Sequence, residues 1–300
     1  MQASNHNFQN TRHAGALAQS FKINNLPAEH YHAGVDIQSC SLLKPMLVSP
    51  AHYAAQFLQD RGEDTASMEF GRLIHCLVLE PHMFAAEYAV FSGKPDRRDR
   101  EFKAFAAANA GKVVVDERAL RDARTLTDRI LTKVIRGRPF GDYVAEGEPE
   151  ASIYYTDPTT GVCCRTRLDL RHPEFIFDLK TTMHSGQKEW VRQAVGLDYD
   201  MQAYMYSLAE CLFAGREVAL PFIFVAAESS APHSVSAFTA GESFLSEGAR
   251  KYQEALGGYA ACSKVNLWPD AGVEATIELD HWQVNTAVPG WREGLAAVLP

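Results

Sequence analysis

The chain has 300 residues, of which 46% are apolar, and a formal net charge of −8 at pH 7 from 29 basic and 37 acidic side chains. This length and composition allow a sizeable hydrophobic core, and we expect one domain over residues 31–300 with an acidic C-terminal tail. The net negative charge excludes a protein that coats nucleic acid through overall positive charge.

The sequence contains no run of about 18 apolar residues and begins with the polar stretch "MQASNHNFQNTRHAG". Six cysteines are scattered along the chain without a C-x-x-C pair, which disfavours a disulfide framework and a zinc site. We therefore expect a cytoplasmic protein with reduced thiols and no membrane partner.

Basic residues are concentrated in one segment of the chain. Between Lys94 and Arg138, thirteen lysines and arginines stand against seven aspartates and glutamates. Such a segment is either a solvated helical face or a local patch that contacts phosphates. The second alternative predicts that the basic segment faces the functional site.

The first half of the chain is predicted to be mainly helical. Residues 1–30 show little periodicity and are expected to form a mobile arm that orders on a partner. The stretch "SCSLLKPMLVSPAHYAAQFLQD" predicts two short helices with an interrupting proline. "TASMEFGRLIHCLVLEP" predicts a buried helix that is capped by Thr65 and ends at Pro81. A helical region at about 99–136 is broken at Gly111 and by the strand-like "KVVVD".

After "GEPE" the apolar pattern changes to a period of two, which indicates strands. The segments "ASIYYTD", "VCCRTRLDL" and "FIFDLKTT", separated by the turns "PTTG" and "RHPE", predict a three-stranded meander. Helices are expected at 187–196 and 199–214, two more strands in "ALPFIFVAAES" and "HSVSAFTA", and a helix at about 241–257. These elements predict an α/β domain with a central mixed sheet flanked by helices.

The strand in "HPEFIFDLKTTMH" carries charges on one face. Side chains alternate along a strand, so Ile176, Asp178 and Lys180 share one face, and the opposite face is expected to be the core face. If the "RHPE" turn pairs residue 170 with 175, Asp169 lies opposite Ile176 and diagonal to Asp178, at about 7 to 8 Å. Two carboxylates at that separation can converge on one divalent ion. The alternative is a solvent-facing sheet with ion pairs across its strands, and the alternation alone does not decide between them.

Further motifs accompany these strands. "LD" at 168–169 is followed by "DLK" at 178–180, "QAYMY" places Gln202 and Tyr206 on one helix face, and "GRLIHCLVLEP" places His75 in the buried helix. Together they resemble the catalytic signature of the PD-(D/E)XK nuclease superfamily in its RecB-like branch, with Leu168 where that signature has a proline. Their order over about residues 30–260 is similar to the C-terminal nuclease domain of the RecE-like exonucleases (exodeoxyribonuclease VIII).

The expected catalytic residues are Asp169, Asp178 and Lys180. The two carboxylates offer hard oxygen ligands suited to Mg²⁺, with Mn²⁺ as a substitute. The resemblance implies the backbone carbonyl of Leu179 as a further ligand, and His75 as a metal ligand or as a partner of one. Lys180 can reach the attacking water or the scissile phosphate, either as a general base or as a purely electrostatic group. We expect a bound cation to lower its proton affinity.

Other side chains are candidates for DNA contacts. The resemblance places Gln202 and Tyr206 beside the active site, where they contact substrate or orient the lysine. Thr181 and Thr182 are candidate donors to backbone phosphates.

Two arginines lie beside the acids in the predicted strand pairing. Arg165 and Arg167 are either phosphate contacts or counter-ions of the carboxylates. Glu150 is left outside the predicted metal site, because a one-residue slip would turn it to the other face of its strand. No iron–sulfur cluster is expected, because only Cys262 lies in the terminal region where cluster-bearing relatives have three cysteines.

The resemblance implies a metal-dependent exonuclease that degrades double-stranded DNA from an end, 5′ to 3′, in recombination of the phage and prophage type. It also implies a ring-like homo-oligomer and a single-strand annealing protein as partner. Two alternatives remain open: an endonuclease of the same superfamily, and a non-catalytic DNA-binding or assembly module that kept the fold.

Overall fold

The computed structural model describes residues 20–24, 26–27, 30–31, 36–58, 65–93 and 98–270, together with residues 272, 274, 276 and 277. Its α-helices, labelled in chain order, are α1 Cys40–Leu43, α2 Pro50–Ala55, α3 Ala66–Leu79, α4 Phe84–Glu87, α5 Arg100–Ala108, α6 Glu117–Thr132, α7 Phe140–Glu146, α8 Gln187–Gly196, α9 Tyr199–Ala214 and α10 Glu242–Val265. Its strands are β1 Phe21–Ile23, β2 Tyr88–Phe91, β3 Val113–Asp116, β4 Val134–Ile135, β5 Arg138–Pro139, β6 Glu148–Thr156, β7 Cys163–Arg171, β8 Ile176–Thr182, β9 Phe222–Glu228 and β10 Val235–Thr239.

A six-stranded mixed sheet with the order β1-β6-β7-β8-β9-β10 lies at the centre. Strands β6, β7 and β8 form the expected antiparallel meander, β9 lies parallel to β8, and β10 returns antiparallel to β9. A parallel pair needs a crossover connection, and helices α8 and α9 supply it between β8 and β9. The predicted α/β architecture, a mixed sheet flanked by helices, is confirmed.

Helices cover both faces of the sheet, so β8 is buried on both sides. On one face, Ile176 belongs to an apolar cluster with Met205 of α9. On the other face, Phe177 belongs to a cluster with Leu73 of α3 and Leu126 of α6. The expectation that only one face of β8 is core is therefore wrong. Strands buried on both faces carry continuous apolar runs, and β8 departs from that pattern only from Asp178 onward.

Local signals explain where the helices that carry the site begin and end. The Thr65 hydroxyl oxygen accepts a hydrogen bond from the Met68 N–H at 3.3 Å, which caps α3, and the helix ends just before Pro81. The helices predicted at 187–196 and 199–214 are confirmed as α8 and α9. Helix α3 packs on one face of the meander and α9 on the other.

Helix α10 is longer than expected and runs to Val265 rather than to about residue 257. Gly257 and Gly258 have low helix propensity, but the Tyr259 ring packs 5.2 Å from that of Tyr53 and 6.0 Å from that of Trp268. Tertiary packing thus outweighs propensity here. Most of the predicted acidic tail lies outside the described residues. Among the described helices, none has the length and apolar content that a membrane crossing requires.

Residues 1–30 were expected to form a mobile arm, but residues 21–23 of this segment form strand β1. Residues 21–23 pair with residues 152–154 of β6 and form the edge of the sheet. Phe21 stacks on Tyr154 with ring centroids 5.1 Å apart, and Lys22 forms an ion pair with Glu148. These long-range contacts hold a segment whose own periodicity is weak. Residues 1–19, which make up most of the expected arm, lie outside the described residues.

Candidate active site

The turn between β7 and β8 sets which residues of the two strands face each other. His172 and Phe175 close this turn by backbone hydrogen bonds, and the ladder pairs Arg171 with Ile176 and Leu170 with Phe177. The expected pairing of residue 170 with 175 is therefore wrong by two residues. The turn consists of residues 172–175, one position further along the chain than the predicted "RHPE" turn at 171–174. The β7–β8 ladder ends at Leu170, and the next residue along β7 away from the turn is Asp169.

Asp169 continues the contact between the strands through its side chain. Its Oδ2 accepts a hydrogen bond from the Leu179 N–H at 2.8 Å. The Asp169 carboxylate therefore lies against the Asp178–Leu179 peptide of β8, closer than the expected diagonal arrangement implied.

Asp178 is 0% exposed, which excludes the solvent-facing sheet as an interpretation of this strand. Its Oδ2 lies 2.6 Å from Lys180 Nζ, and its Oδ1 accepts a hydrogen bond from Gln202 Nε2 at 2.8 Å. Gln202 comes from α9, so the carboxylate is held between its own strand and the helix packed on that face. Such a contact orients a buried acid before any ligand binds.

The electrostatics of this pair follow from burial and neighbouring charge. Burial raises the pKa of Asp178 above its usual range, Lys180 opposes that shift, and Asp169 adds to it. Burial lowers the pKa of Lys180, but the Asp178 and Asp169 carboxylates outweigh it and raise the pKa above its ordinary value. Without a bound cation, Lys180 is therefore a protonated counter-ion, and the expected loss of proton affinity requires a cation between these groups.

His75 reaches the same place from α3. Its Nε2 lies 2.8 Å from the Leu179 carbonyl oxygen and its Nδ1 lies 3.8 Å from Asp169 Oδ2. One turn earlier, a Cβ on Gly71 would lie 3.0 Å from Thr181 Oγ1, so a glycine lets α3 approach β8 closely. The structure thus brings together three of the four expected metal ligands: His75, Asp169 and the Leu179 carbonyl.

Glu150 is a candidate ligand that the predicted metal site omitted. Ligand atoms of His75, Glu150 and Asp169 all lie within 4.8 Å of one another, and Asp178 is not part of this group. The β6–β7 ladder is interrupted at Glu150, where φ is 50°, between pairs 149–170 and 151–168. The flanking pairs place Glu150 across from Asp169. No turn residue or repeat in the sequence indicates the positive φ at this position.

The donor set fits a divalent cation. Burial and the Asp169 carboxylate raise the pKa of Glu150, while Arg167 at 3.8 Å lowers it in part. Acidic groups that repel one another in a partly buried site bind a cation favourably, because the cation relieves this repulsion. His75, Glu150 and Asp169 would hold the ion, with Asp178 and the Leu179 carbonyl beside them. Carboxylates suit Mg²⁺ and Mn²⁺, and the imidazole suits Mn²⁺ better than Mg²⁺.

Glu150→Gln should raise the stability of the metal-free protein and weaken cation binding. Because the folded-state pKa of Glu150 is raised, the unfolded chain releases its proton first as pH rises above about 4.3, and the wild type loses stability. Glutamine has no such loss, so the variant should be more stable by about 1 kcal/mol at pH 8, and the gain should vanish near pH 4. Thermal unfolding of the variant and the wild type in EDTA, at pH 8 and at pH 4, measures this difference in stability.

The same variant should bind Mn²⁺ at least about tenfold more weakly in a calorimetric titration. Glu117→Gln, at an exposed position on α6, is the matched control and should change neither quantity. Wild-type Mn²⁺ affinity in Glu150→Gln would remove this residue from the site.

Two cavities meet at these residues. The catalytic cavity, of about 360 Å³, is lined by Tyr31, Ser39, Cys40, Ser41, Lys44, His75, Glu150, Arg167, Asp169, Lys180, Gln202 and Tyr206. A second cavity of about 730 Å³ lies on the α3 side and shares His75, Glu150 and Arg167 with the first. Gln202 and Tyr206 therefore line the same cavity as the candidate metal ligands, and their expected contact with substrate stays a prediction. Burial raises the pKa of Tyr206 well above its usual value, so its phenol is neutral.

The two arginines have different environments. Arg167 lines both cavities, and its guanidinium lies 4.2 Å from the Tyr31 ring centroid. Arg165 is 3% exposed and lies 5.0 Å from the same ring. Arg167 is therefore accessible from both cavities and Arg165 from neither, so the phosphate contact expected of Arg165 is not supported, and that of Arg167 stays a prediction.

The two threonines do not line either cavity. Thr182 is buried, and its hydroxyl lies 2.8 Å from Gln193 Oε1 and 3.1 Å from the His184 carbonyl. Thr181 faces α3 at Gly71. Their expected role as phosphate donors is not supported, because these side chains join β8 to neighbouring elements.

The basic segment is described from residue 98 to 138, and none of these residues lines either cavity. On α6, Arg118 and Arg121 are exposed and pair with acidic residues one turn away. The buried side of α6, including Ala123, packs in the cluster with α3. The structure therefore favours the solvated helical face over a patch that faces the site.

A mixed sheet with helices on both faces, an Asp-x-Lys strand and an acidic partner strand define the class: this is the fold of the PD-(D/E)XK nuclease superfamily. A family model described as a PDDEXK-like domain of unknown function (DUF3799) matches residues 39–278, and the chain belongs to this family.

The chain is also similar to a crystal structure from Eubacterium rectale described as a "putative exonuclease". The identity is 15%, the TM-score 0.52, and the coverage 88% of this chain and 99% of that chain. At that identity the likeness concerns the fold alone. No curated protein matches the chain.

Proposed function

We propose that the protein is a metal-dependent exodeoxyribonuclease, similar to the RecE-like enzymes, that hydrolyses linear double-stranded DNA from an end in the 5′ to 3′ direction. The observation that carries the proposal is the convergence of β7, β8 and α3 on one cavity through Asp169, Lys180 and His75. Asp178 is buried beside them and paired with Lys180. A scaffold that only binds DNA has no need of this set, which argues against the non-catalytic alternative. The preference for duplex ends and the polarity rest on the family resemblance alone.

Each side chain has a role that its contacts support. A divalent ion, Mg²⁺ or Mn²⁺, when bound would neutralise charge that builds on the phosphate and supply an activated water. Gln202 and the Leu179 N–H orient the carboxylates of Asp178 and Asp169, so that both are fixed before substrate arrives. Lys180 presents an ammonium group at the cavity wall, where it can donate to a phosphate oxygen.

The proposal extends to the setting of the reaction. The resemblance over the motifs from His75 to Tyr206 supports a role in phage-type recombination, a ring-like homo-oligomer and a single-strand annealing partner. The scattered cysteines support a cytoplasmic location. In a ring, a local basic surface would line the channel around the DNA, so that a chain with a negative net charge could still hold its substrate.

Linear duplex should be degraded in the presence of Mg²⁺, whereas closed circular duplex of the same sequence should stay intact. An exonuclease requires an end, so the intact circle is the matched control substrate. Duplexes labelled at the 5′ or at the 3′ terminus then report polarity from the order of label release. Cleavage of the circle would instead establish the endonuclease, and EDTA should stop either reaction.

A further inference from the structure

One wall of the catalytic cavity has no role in metal binding. The stretch "SCSLLK" contributes Ser39, Ser41 and Lys44 to the lining, on α1 and the residues that flank it. The wall that carries His75, Glu150 and Asp169 belongs to the same cavity of about 360 Å³. A strand bound with its scissile phosphate at the carboxylates would therefore extend along the serine and lysine side chains.

Lys44 is a cation without an acidic partner in the described part of the chain. Its Nζ donates a hydrogen bond to the Leu197 carbonyl and lies 5.5 Å from the Tyr199 ring centroid. Lys180 Nζ lies 5.1 Å from the same centroid, so Tyr199 holds two ammonium groups beside one cavity. Lys180 is ion-paired with Asp178, whereas no described carboxylate lies within ion-pair distance of Lys44. Lys44 thus keeps a positive charge that an anion can use.

The two serines add hydroxyl donors. Their Oγ atoms lie 3.1 Å apart, and Ser39 Oγ also accepts from the Leu42 N–H at 3.4 Å. Whichever hydroxyl donates in the serine pair, the other keeps its own proton available for a further acceptor. An ammonium group and a hydroxyl donor on one wall match the oxygens of a phosphate, for which lysine serves as a point charge.

We propose that Lys44, with Ser39 and Ser41, binds a non-scissile phosphate of the substrate strand and so holds the strand at the catalytic carboxylates. This inference rests on the proposed nuclease function and names a subsite within it. The phosphate is either the terminal monophosphate of the attacked strand or an internal phosphodiester next to the scissile one. Lys44 acts in both cases as a positioning residue, since it does not touch the reacting atoms.

The test compares Lys44→Gln with the wild type on linear duplexes that carry either a 5′-phosphate or a 5′-hydroxyl. Removing a charge-assisted phosphate contact should raise KM about tenfold at low salt with little change in kcat. The slope of log affinity against log salt should fall by about 1. A rise confined to the phosphorylated duplex identifies the terminal phosphate, and an equal rise on both duplexes identifies an internal one.

Two further variants separate binding from a structural effect. Lys44→Arg keeps the charge and should keep the wild-type salt slope, and Lys264→Gln, which removes an exposed lysine outside both cavities, should leave KM unchanged. Binding of a labelled duplex in EDTA, followed by fluorescence anisotropy, gives the salt slope without catalysis. If Lys44→Gln matches the wild type in KM and in this slope, the phosphate subsite is refuted. If the wild type binds with a Lys44-dependent slope but does not degrade DNA, the nuclease proposal fails while the subsite stands.

Discussion

Replacing Asp178 by asparagine should lower kcat/KM for metal-dependent DNA hydrolysis by at least about 10³-fold. Asparagine keeps the size of the side chain and an oxygen that can accept from Gln202. It removes the negative charge that lies 2.6 Å from Lys180 Nζ and beside the metal candidates. Because Asp178 is fully buried, no neighbouring acid can swing in from solvent to replace it. Initial rates on end-labelled linear duplex, in Mg²⁺ and in Mn²⁺, measure the loss.

The matched control is Asp122→Asn on α6, where the side chain is 52% exposed and pairs only with Arg118 at 3.9 Å among the described residues. This variant should stay within about twofold of the wild-type rate, since surface changes of this kind alter little. If Asp178→Asn leaves too little folded protein, Lys180→Gln tests the same pair from its other side. Wild-type rates in both variants would show that the reacting phosphate lies elsewhere.

Much of the fold could be predicted, because its signals are local. The change from helical to two-residue periodicity located the meander, and the stripes at 187–196 and 199–214 gave α8 and α9 within their bounds. Local signals did not predict that a helix packs on the second face of β8. Ile176 looked like the start of a polar face, but α9 packs on it. The charged residues of this strand therefore lie at its buried end beside the cavity and not on a solvent-facing side.

The candidate site also contains residues that the sequence predicted and one that it did not. Asp169, Asp178, Lys180 and His75 were identified by motif, and they come together even though the predicted strand register was wrong by two residues. The error left the site intact because a shift of two residues keeps every side chain on its own face. Glu150 was left out because a one-residue slip of β6 would have turned it to the other face, and the sequence does not fix that register; the observed pairs 149–170 and 151–168 place it across from Asp169.

Two expected contacts failed for a different reason. The predicted strand pairing placed Arg165 beside the acids, and Thr182 was a candidate phosphate donor, but the buried surroundings of the sheet engage both side chains internally. Parity gives the face of a strand and not the depth of a residue below the surface. Near a site enclosed by helices, depth depends on long-range packing, which the sequence of one strand does not contain.

Gly248→Ala should destabilise the protein by about 3 kcal/mol. Gly248 lies on α10 where that helix crosses the start of α9, and a Cβ there would lie 2.0 Å from the Asp200 carbonyl oxygen and 2.5 Å from its carbon. These are backbone atoms, so relief requires a shift of one helix against the other. Chemical denaturation, followed by circular dichroism, measures the loss of stability.

Gly257→Ala on the same helix is the control, because nothing lies within 4 Å of the added carbon. There the higher helix propensity of alanine should stabilise the protein by about 0.5 to 1 kcal/mol. The opposite signs separate a steric effect from propensity. A shift of α9 would also move Gln202, which lies two residues after Asp200 and orients Asp178 at 2.8 Å. The fraction of Gly248→Ala that remains folded should therefore be less active than the wild type, whereas Gly257→Ala should keep full activity. Equal stability of the two variants would contradict the close contact between α9 and α10 on which this geometry depends.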